Sequence, residues 1–306
     1  MPNSLNGVFA AVLTPLRADT APDHAAMAAH CRWLLDHGCD GLAVLGTTGE
    51  ANSFTVGERI AILEALVRSG IPPGVLMPGT GCCALADTAL LCRAAVDLGA
   101  PGVLVLPPFY YKNVTDDGLF AAFAGIVEQV GDARLRIYLY HFPQMSGVAI
   151  GPALIARLLK EYPGSFAGMK DSSGDLGNMI RNIHAFPGFA VFSGSDEFLL
   201  PVLRAGGAGC ITAVANVAAF LAAEVLAAFR RGDEKAAEAA QEKLSRVRGL
   251  IAAYPLAAAL KDIMATHTGE EGWRKLRPPL VPLAPPEAAA LRSALERERF
   301  CPPVPG

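Results

Sequence analysis

Short apolar runs alternate with longer stretches of helical period along the first three quarters of the chain. Val/Ile/Leu-rich runs fall at Gly7–Leu13, Gly41–Leu45, Gly74–Met77 and Gly102–Leu106, then at Arg136–Tyr140, Phe166–Lys170, Phe189–Ser193 and Gly209–Thr212. None alternates cleanly between apolar and polar, the pattern of parallel strands covered on both faces. The segments between them carry helix signals. Thr55 and Glu58 form a capping box ahead of "RIAILEALVRSG", which stops at Gly70. Leu176, Met179, Ile180 and Ile183 recur at helical spacing until Pro187–Gly188 ends the run. Eight strands, each followed by a helix, predict an α/β fold of the (β/α)8 TIM-barrel type rather than an open doubly wound sheet.

The rhythm changes after about residue 230. "DEKAAEAAQEKLSRVRGLIAAY", "PLAAALKDIMATHTG" and "EAAALRSALERERF" read as helices with no strand between them, and "RPPLVPLAPP" as a linker inside that region. The expected organisation is a barrel over residues 1–232 that carries the active site. A helical C-terminal extension over 233–306 packs on it.

Composition narrows the function. The chain has 306 residues, 52% of them hydrophobic and 18% charged, enough apolar material for a large core. A formal charge of −3 without any Lys/Arg-rich run argues against a nucleic-acid partner. The N-terminus lacks a basic segment followed by a long apolar one, and apolar stretches are interrupted before membrane-spanning length. Seven scattered cysteines without a C-x-x-C pair fit a reducing compartment. A cytoplasmic protein with no membrane association is therefore expected.

A barrel keeps its chemistry on the loops at the C-terminal ends of its strands, so function can be read by position. Those ends carry Thr14–Pro15, "GTTGE" with Thr47 and Thr48, "PGTG", "PPFYYK", Tyr140–His141, Lys170, "SGSDE" and "TAVAN". Lys170 stands out. It ends the apolar run of "FAGMKDSSGD", where desolvation disfavours the charged amine. A neutral amine is a nucleophile toward a ketone and can form a Schiff base. Tyr140 ends the neighbouring strand, placed to carry protons; an aromatic plug in the barrel mouth is the plainer reading. Thr47 and Thr48 can relay protons or hold a carboxylate, although "GTTG" alone is also an ordinary tight turn. Asp196 and Glu197 can bind substrate hydroxyls, or Asp196 can cap the following helix.

Other signals weigh less. Gly79-Thr80-Gly81-Cys82-Cys83-Ala84 fits G-x-G-x-x-G/A, but it opens the third unit and has no acidic partner about twenty residues on, so a dinucleotide site is not expected. Of six histidines only His141 lies at a strand end, so no catalytic metal is expected. "SGSD" lies where barrels often hold phosphate, but its acid pair argues against that.

These residues resemble the dihydrodipicolinate synthase / N-acetylneuraminate lyase family of Schiff-base, pyruvate-handling class I aldolases. The resemblance runs through "GTTGE" (46–50), "PPFYY" (107–111), "YLYHFPQMSG" (138–147), "GMKDSSGD" (168–175), "SGSDE" (193–197) and "GCITAVANV" (209–217), in order and along essentially the whole chain. It implies a homotetramer of barrels. It also implies Lys170 as the imine-forming lysine, Tyr140 as the proton-transfer residue, and Thr47 and Thr48 as carboxylate ligands and relay members. Tyr110 best matches the tyrosine lent across a subunit interface, and Gly194 and Ile211 match backbone positions near the bound keto acid. No cofactor is implied beyond the covalent imine.

The departures bear on substrate. Synthases that condense pyruvate with aspartate semialdehyde carry an arginine where Tyr140-His141-Phe142-Pro143-Gln144-Met145 places Met145, and a thioether cannot pair with a carboxylate. Asp196–Glu197 resembles the acid pair that sugar-acid lyases use on hydroxyls, and Ser172 matches their hydroxyl near the new carbon–carbon bond. His141 and Phe142 suggest a partly aromatic pocket. The expected activity is cleavage of a hydroxylated 2-oxo acid to pyruvate and an aldehyde. Dihydrodipicolinate synthase-type condensation, a 2-keto-3-deoxy sugar acid dehydratase and a non-catalytic 2-oxo-acid binding protein stand as alternatives.

Overall fold

The structure, a computed structural model, describes residues 5–303. Seven strands form one parallel sheet: β1 (Gly7–Ala11), β2 (Gly41–Ala43), β3 (Val103–Val105), β4 (Ile137–His141), β5 (Phe166–Asp171), β6 (Ala190–Ser193) and β7 (Gly209–Thr212). Their order is β2-β1-β7-β6-β5-β4-β3. The gap between β2 and β3 is filled by the segment expected as a third strand at Gly74–Met77. Met77 and Gly79 donate to the Leu42 and Val44 carbonyls (2.9 and 2.8 Å). On the other side Thr80 donates to Leu104, and Leu104 to Pro78 (2.9 Å each). The stave closes the barrel but is not a regular strand. Residues Pro73–Val75 form a 3-10 turn, and Pro78 has no N–H to give to a ladder.

Helices surround the sheet: α1 (His24–Asp36), α2 (Val56–Arg68), α3 (Leu85–Asp97), α4 (Asp116–Val130), the single turn α5 (Pro143–Ser146), α6 (Pro152–Glu161), α7 (Leu176–Ala185), α8 (Leu199–Arg204) and α9 (Ala215–Arg230). The Thr55/Glu58 capping box forms at the start of α2, and Asp175 caps α7 through the Asn178 N–H at 2.9 Å. The C-terminal run is helical, with α10 (Glu234–Ala252), α11 (Leu256–Thr268) and α12 (Pro285–Arg297). Among the described residues no single helix is long and apolar enough to cross a membrane.

The strands do alternate, but between two buried faces. Phe9, Ala43, Leu104, Tyr138, Phe192 and Ile211 fill the barrel interior. Val8, Val103, Leu139, Met169 and Val191 face the helices. Neither face meets water, so both are apolar and the period of two leaves no polarity signature. Tyr140 belongs to the interior set and pairs in register with Lys170, which pairs with Phe192.

Candidate active site

Three side chains meet at the end of the interior. Lys170 is 5% exposed and Tyr140 is 3% exposed. The lysine Nζ donates to the Tyr140 hydroxyl at 3.2 Å and lies 4.4 Å from the centre of its ring. The same hydroxyl lies 3.4 Å from Thr47 Oγ1, giving a chain of exchangeable protons from amine to phenol to alcohol. The nearest strand acid does not pair with the amine. Asp171, one residue on, points to the opposite face and accepts from the Ser173 N–H (2.9 Å) and Asn178 Nδ2 (2.7 Å). Phe142 stacks on Tyr140 with ring centroids 5.8 Å apart, extending the aromatic wall.

The Thr47 turn is held rigidly. Glu50 donates its N–H to the Thr47 carbonyl at 3.1 Å, and Thr14 Oγ1 donates to Gly49 O at 2.8 Å. Glu50 has a left-handed backbone, φ 58°, and its carboxylate forms an ion pair with Lys261 of α11 in which neither side chain is exposed. Its other oxygen accepts from the Arg277 N–H at 2.8 Å. The sequence reading missed this clamp, because 211 positions separate its partners and a lysine in "PLAAALKDIMATHTG" reads as a solvated helix residue. Thr48 shares the turn and is half-buried.

On the neighbouring staves, Gly194 N donates to Asp171 O at 2.7 Å. A Cβ at Gly194 would lie 2.0 Å from Ser172 Oγ and 2.8 Å from Ser172 Cα, so close approach, not turn conformation, demands glycine there. Ser172 is half-buried beside it, and Ile211 is fully buried inside the barrel.

Several expected residues lie differently. Asp196 does not open onto the mouth with Glu197 as an acid pair. It is 1% exposed, its Oδ1 accepts from Thr212 Oγ1 at 2.6 Å, and Oδ2 lies 3.9 Å from Arg248 of α10. Nor does its side chain cap the following helix. Burial pushes its carboxyl upward, a shift that Thr212 and Arg248 oppose. Glu197 is exposed and accepts from Ser195 Oγ at 3.2 Å. His141 is no part of the pocket: one residue beyond Tyr140, it faces outward, where its Nδ1 accepts the Ile150 N–H at 3.1 Å. Burial, partly offset by Asp171, lowers its basicity. Met145, on α5, is 62% exposed. Tyr110 and Tyr111 are 74% and 72% exposed and meet edge to face, away from the buried relay. Among the described residues no three His, Cys, Asp or Glu side chains cluster closely enough to hold a metal.

The model of the dihydrodipicolinate synthetase family matches residues 4–298. An uncharacterised DapA-like lyase of Chloroflexus aurantiacus is 41% identical over 95% of this chain and 96% of its own length. A 4-hydroxy-tetrahydrodipicolinate synthase of Acidiphilium cryptum is 33% identical over 95% and 97%. Among solved structures, YagE, a prophage protein of the dihydrodipicolinic acid synthase family from E. coli K12 crystallised with pyruvate, superposes with a TM-score of 0.88 at 28% identity, covering 97% of this chain and 99% of that one. The dihydrodipicolinate synthase of Agrobacterium tumefaciens gives 0.86 at 31% identity, covering 96% and 99%. A buried lysine and tyrosine at adjacent strand ends of a parallel barrel, and likeness along its full length, lead to one conclusion: this chain belongs to the dihydrodipicolinate synthetase family of lyases.

Proposed function

We propose that this lyase cleaves a hydroxylated 2-oxo acid to pyruvate and an aldehyde through a Schiff base on Lys170, without a cofactor. The observation that carries the reading is the Lys170–Tyr140–Thr47 chain, in which a buried amine has a phenol as its polar partner. Nζ attacks the ketone carbon and water leaves as the imine forms. Tyr140 takes the proton of the substrate's C4 hydroxyl as its own proton passes to Thr47, and the C3–C4 bond breaks as its electron pair flows into the imine. The aldehyde departs, the resulting enamine takes a proton at C3, and water hydrolyses the imine to release pyruvate. Thr47 passes protons on from Tyr140, while Thr48 and the turn around it hold the carboxylate. Ser172, Gly194 and Ile211 line the path of the rest of the substrate.

Met145 argues against condensation with aspartate semialdehyde, since a thioether offers that substrate's carboxylate no hydrogen bond. The half-buried hydroxyls of Thr48 and Ser172 suit a polyhydroxylated chain. The large exposed faces of Tyr110 and Tyr111 support a homotetramer in which a partner subunit covers them and Tyr110 reaches a neighbouring relay. The cytoplasm is the proposed compartment. A panel of 2-oxo-3-deoxy sugar acids and 4-hydroxy-2-oxo acids, read by coupled detection of pyruvate, tests the substrate class. Pyruvate release by a panel member is expected. Condensation of pyruvate with aspartate semialdehyde, and no cleavage of any panel member, would replace this reading with the synthase one; release of water without pyruvate would indicate a dehydratase.

A further inference from the structure

Arg59, on α2 behind the Thr47 turn, is 2% exposed. Its Nη2 donates to the Gly79 carbonyl at 2.8 Å and its Nη1 to Cys82 Sγ at 3.1 Å, while Nε has no partner. Among the described residues it forms no ion pair. Its chain neighbour Glu58 is bound by Arg277, and Glu50 by Lys261. A buried cation without a counter-charge is costly, and the two acceptors it does have could be served by a neutral donor. What it faces explains its charge. Arg59, Gly46, Thr47, Asn52, Gly79 and Tyr140 line one cavity of about 20 Å3, room for about one water molecule.

We propose that Arg59 is a fixed cation that stabilises negative charge on the proton relay, a positioning residue that acts through Tyr140. The inference rests on the imine reading above. When Tyr140 protonates the enamine, its O–H bond breaks and a C–H bond forms at C3. The electron pair left on the phenol oxygen makes a phenolate, which regains its proton through Thr47. That charge develops across the cavity from the guanidinium, and because Arg59 and Tyr140 are themselves buried, a preoriented charge acts strongly between them.

The test separates imine formation from proton transfer. Pyruvate is incubated with the full-length protein in D2O and loss of its methyl proton signal is followed by NMR. In parallel, borohydride trapping is measured against pyruvate concentration, and the melting temperature is recorded. The variants are Arg59→Gln, which removes the charge but keeps an N–H donor for Gly79, Arg59→Met, and Arg59→Lys. For Arg59→Gln and Arg59→Met, trapping should keep its half-saturation, exchange at saturating pyruvate should fall about 10- to 100-fold, and the melting temperature should hold or rise. Arg59→Lys should recover most of the exchange rate. Wild-type exchange in the neutral variants would overturn the proposal. So would a raised half-saturation with unchanged saturated exchange, which would make Arg59 a carboxylate contact, or a rate loss that merely tracks unfolding. Absence of trapping in the wild-type protein would overturn the imine reading itself, and this proposal with it.

Discussion

Replacing Lys261 by Met tests how the C-terminal helices hold the active-site turn. Lys261 and Glu50 are both fully buried. Beyond Glu50, the amine donates to the Lys275 carbonyl at 2.7 Å. Lys261→Met leaves the Glu50 carboxylate with the Arg277 N–H as its remaining hydrogen-bond donor, in a volume closed to water. Removing one partner of such a pair costs about 3–5 kcal/mol, because the other charge stays buried and uncompensated. In a chain of this size that corresponds to a fall in melting temperature of roughly 5–8 °C. Glu50→Gln, which strands the ammonium instead, should cost a similar amount. The double variant Glu50→Gln/Lys261→Met removes both charges and should lose less than the sum of the two single losses by about 2 kcal/mol or more. Thermal unfolding by circular dichroism and urea titration of all four proteins close the cycle. The reasoning fails if either single variant melts within about 2 °C of the parent, or if the double variant loses the sum of the two.

Two further expectations follow from the geometry. Gly194→Ala sets a methyl 2.8 Å from backbone Ser172 Cα as well as 2.0 Å from its hydroxyl, so rotating Ser172 Oγ cannot relieve it. Turnover should fall at least tenfold, and a Gly194→Ala enzyme with parental kcat/KM would show that the two staves can separate freely. His30 gives a pH dependence of known sign: burial depresses it from 6.5 to about 4, so between those values the unfolded chain binds a proton that the folded one refuses. Its contribution is complete above pH 6.5 and is lost as pH falls toward 4, about 3 kcal/mol in all. Asn216 Oδ1, fixed because Nδ2 donates to the Ala11 and Ala213 carbonyls, lies 3.0 Å from His30 Nε2. His30→Gln retains a donor for it and should flatten this part of the acid stability profile, and a profile parallel to the parent's would refute the assignment.

Much of the barrel was legible because its signals are local. Capping residues, helical period and short apolar runs place most elements to within a few residues, and Lys170 stood out as the one amine closing an apolar strand. What was not legible depends on parity or on distance. His141 and Tyr140 are adjacent in a strand and must face opposite ways, so counting along β4 could have removed His141 from the pocket. Pro78 could have signalled that the third stave would be irregular. No local signal points Asp196 toward Thr212, since their hydrogen bond depends on how two neighbouring βα units pack. The same holds for Glu50, whose place in "GTTGE" suggests chemistry while its carboxylate serves to anchor the turn. Arg59 reads as an exposed helix residue until α2 is laid against the third stave.

The central claim is that Lys170 captures a 2-oxo acid as an imine. Borohydride reduction in the presence of pyruvate, followed by peptide mass spectrometry, tests it directly. Irreversible addition of the reduced pyruvyl group at Lys170, loss of activity in proportion, and no adduct in Lys170→Ala are expected. A protein that stays unmodified and fully active after this treatment would contradict it.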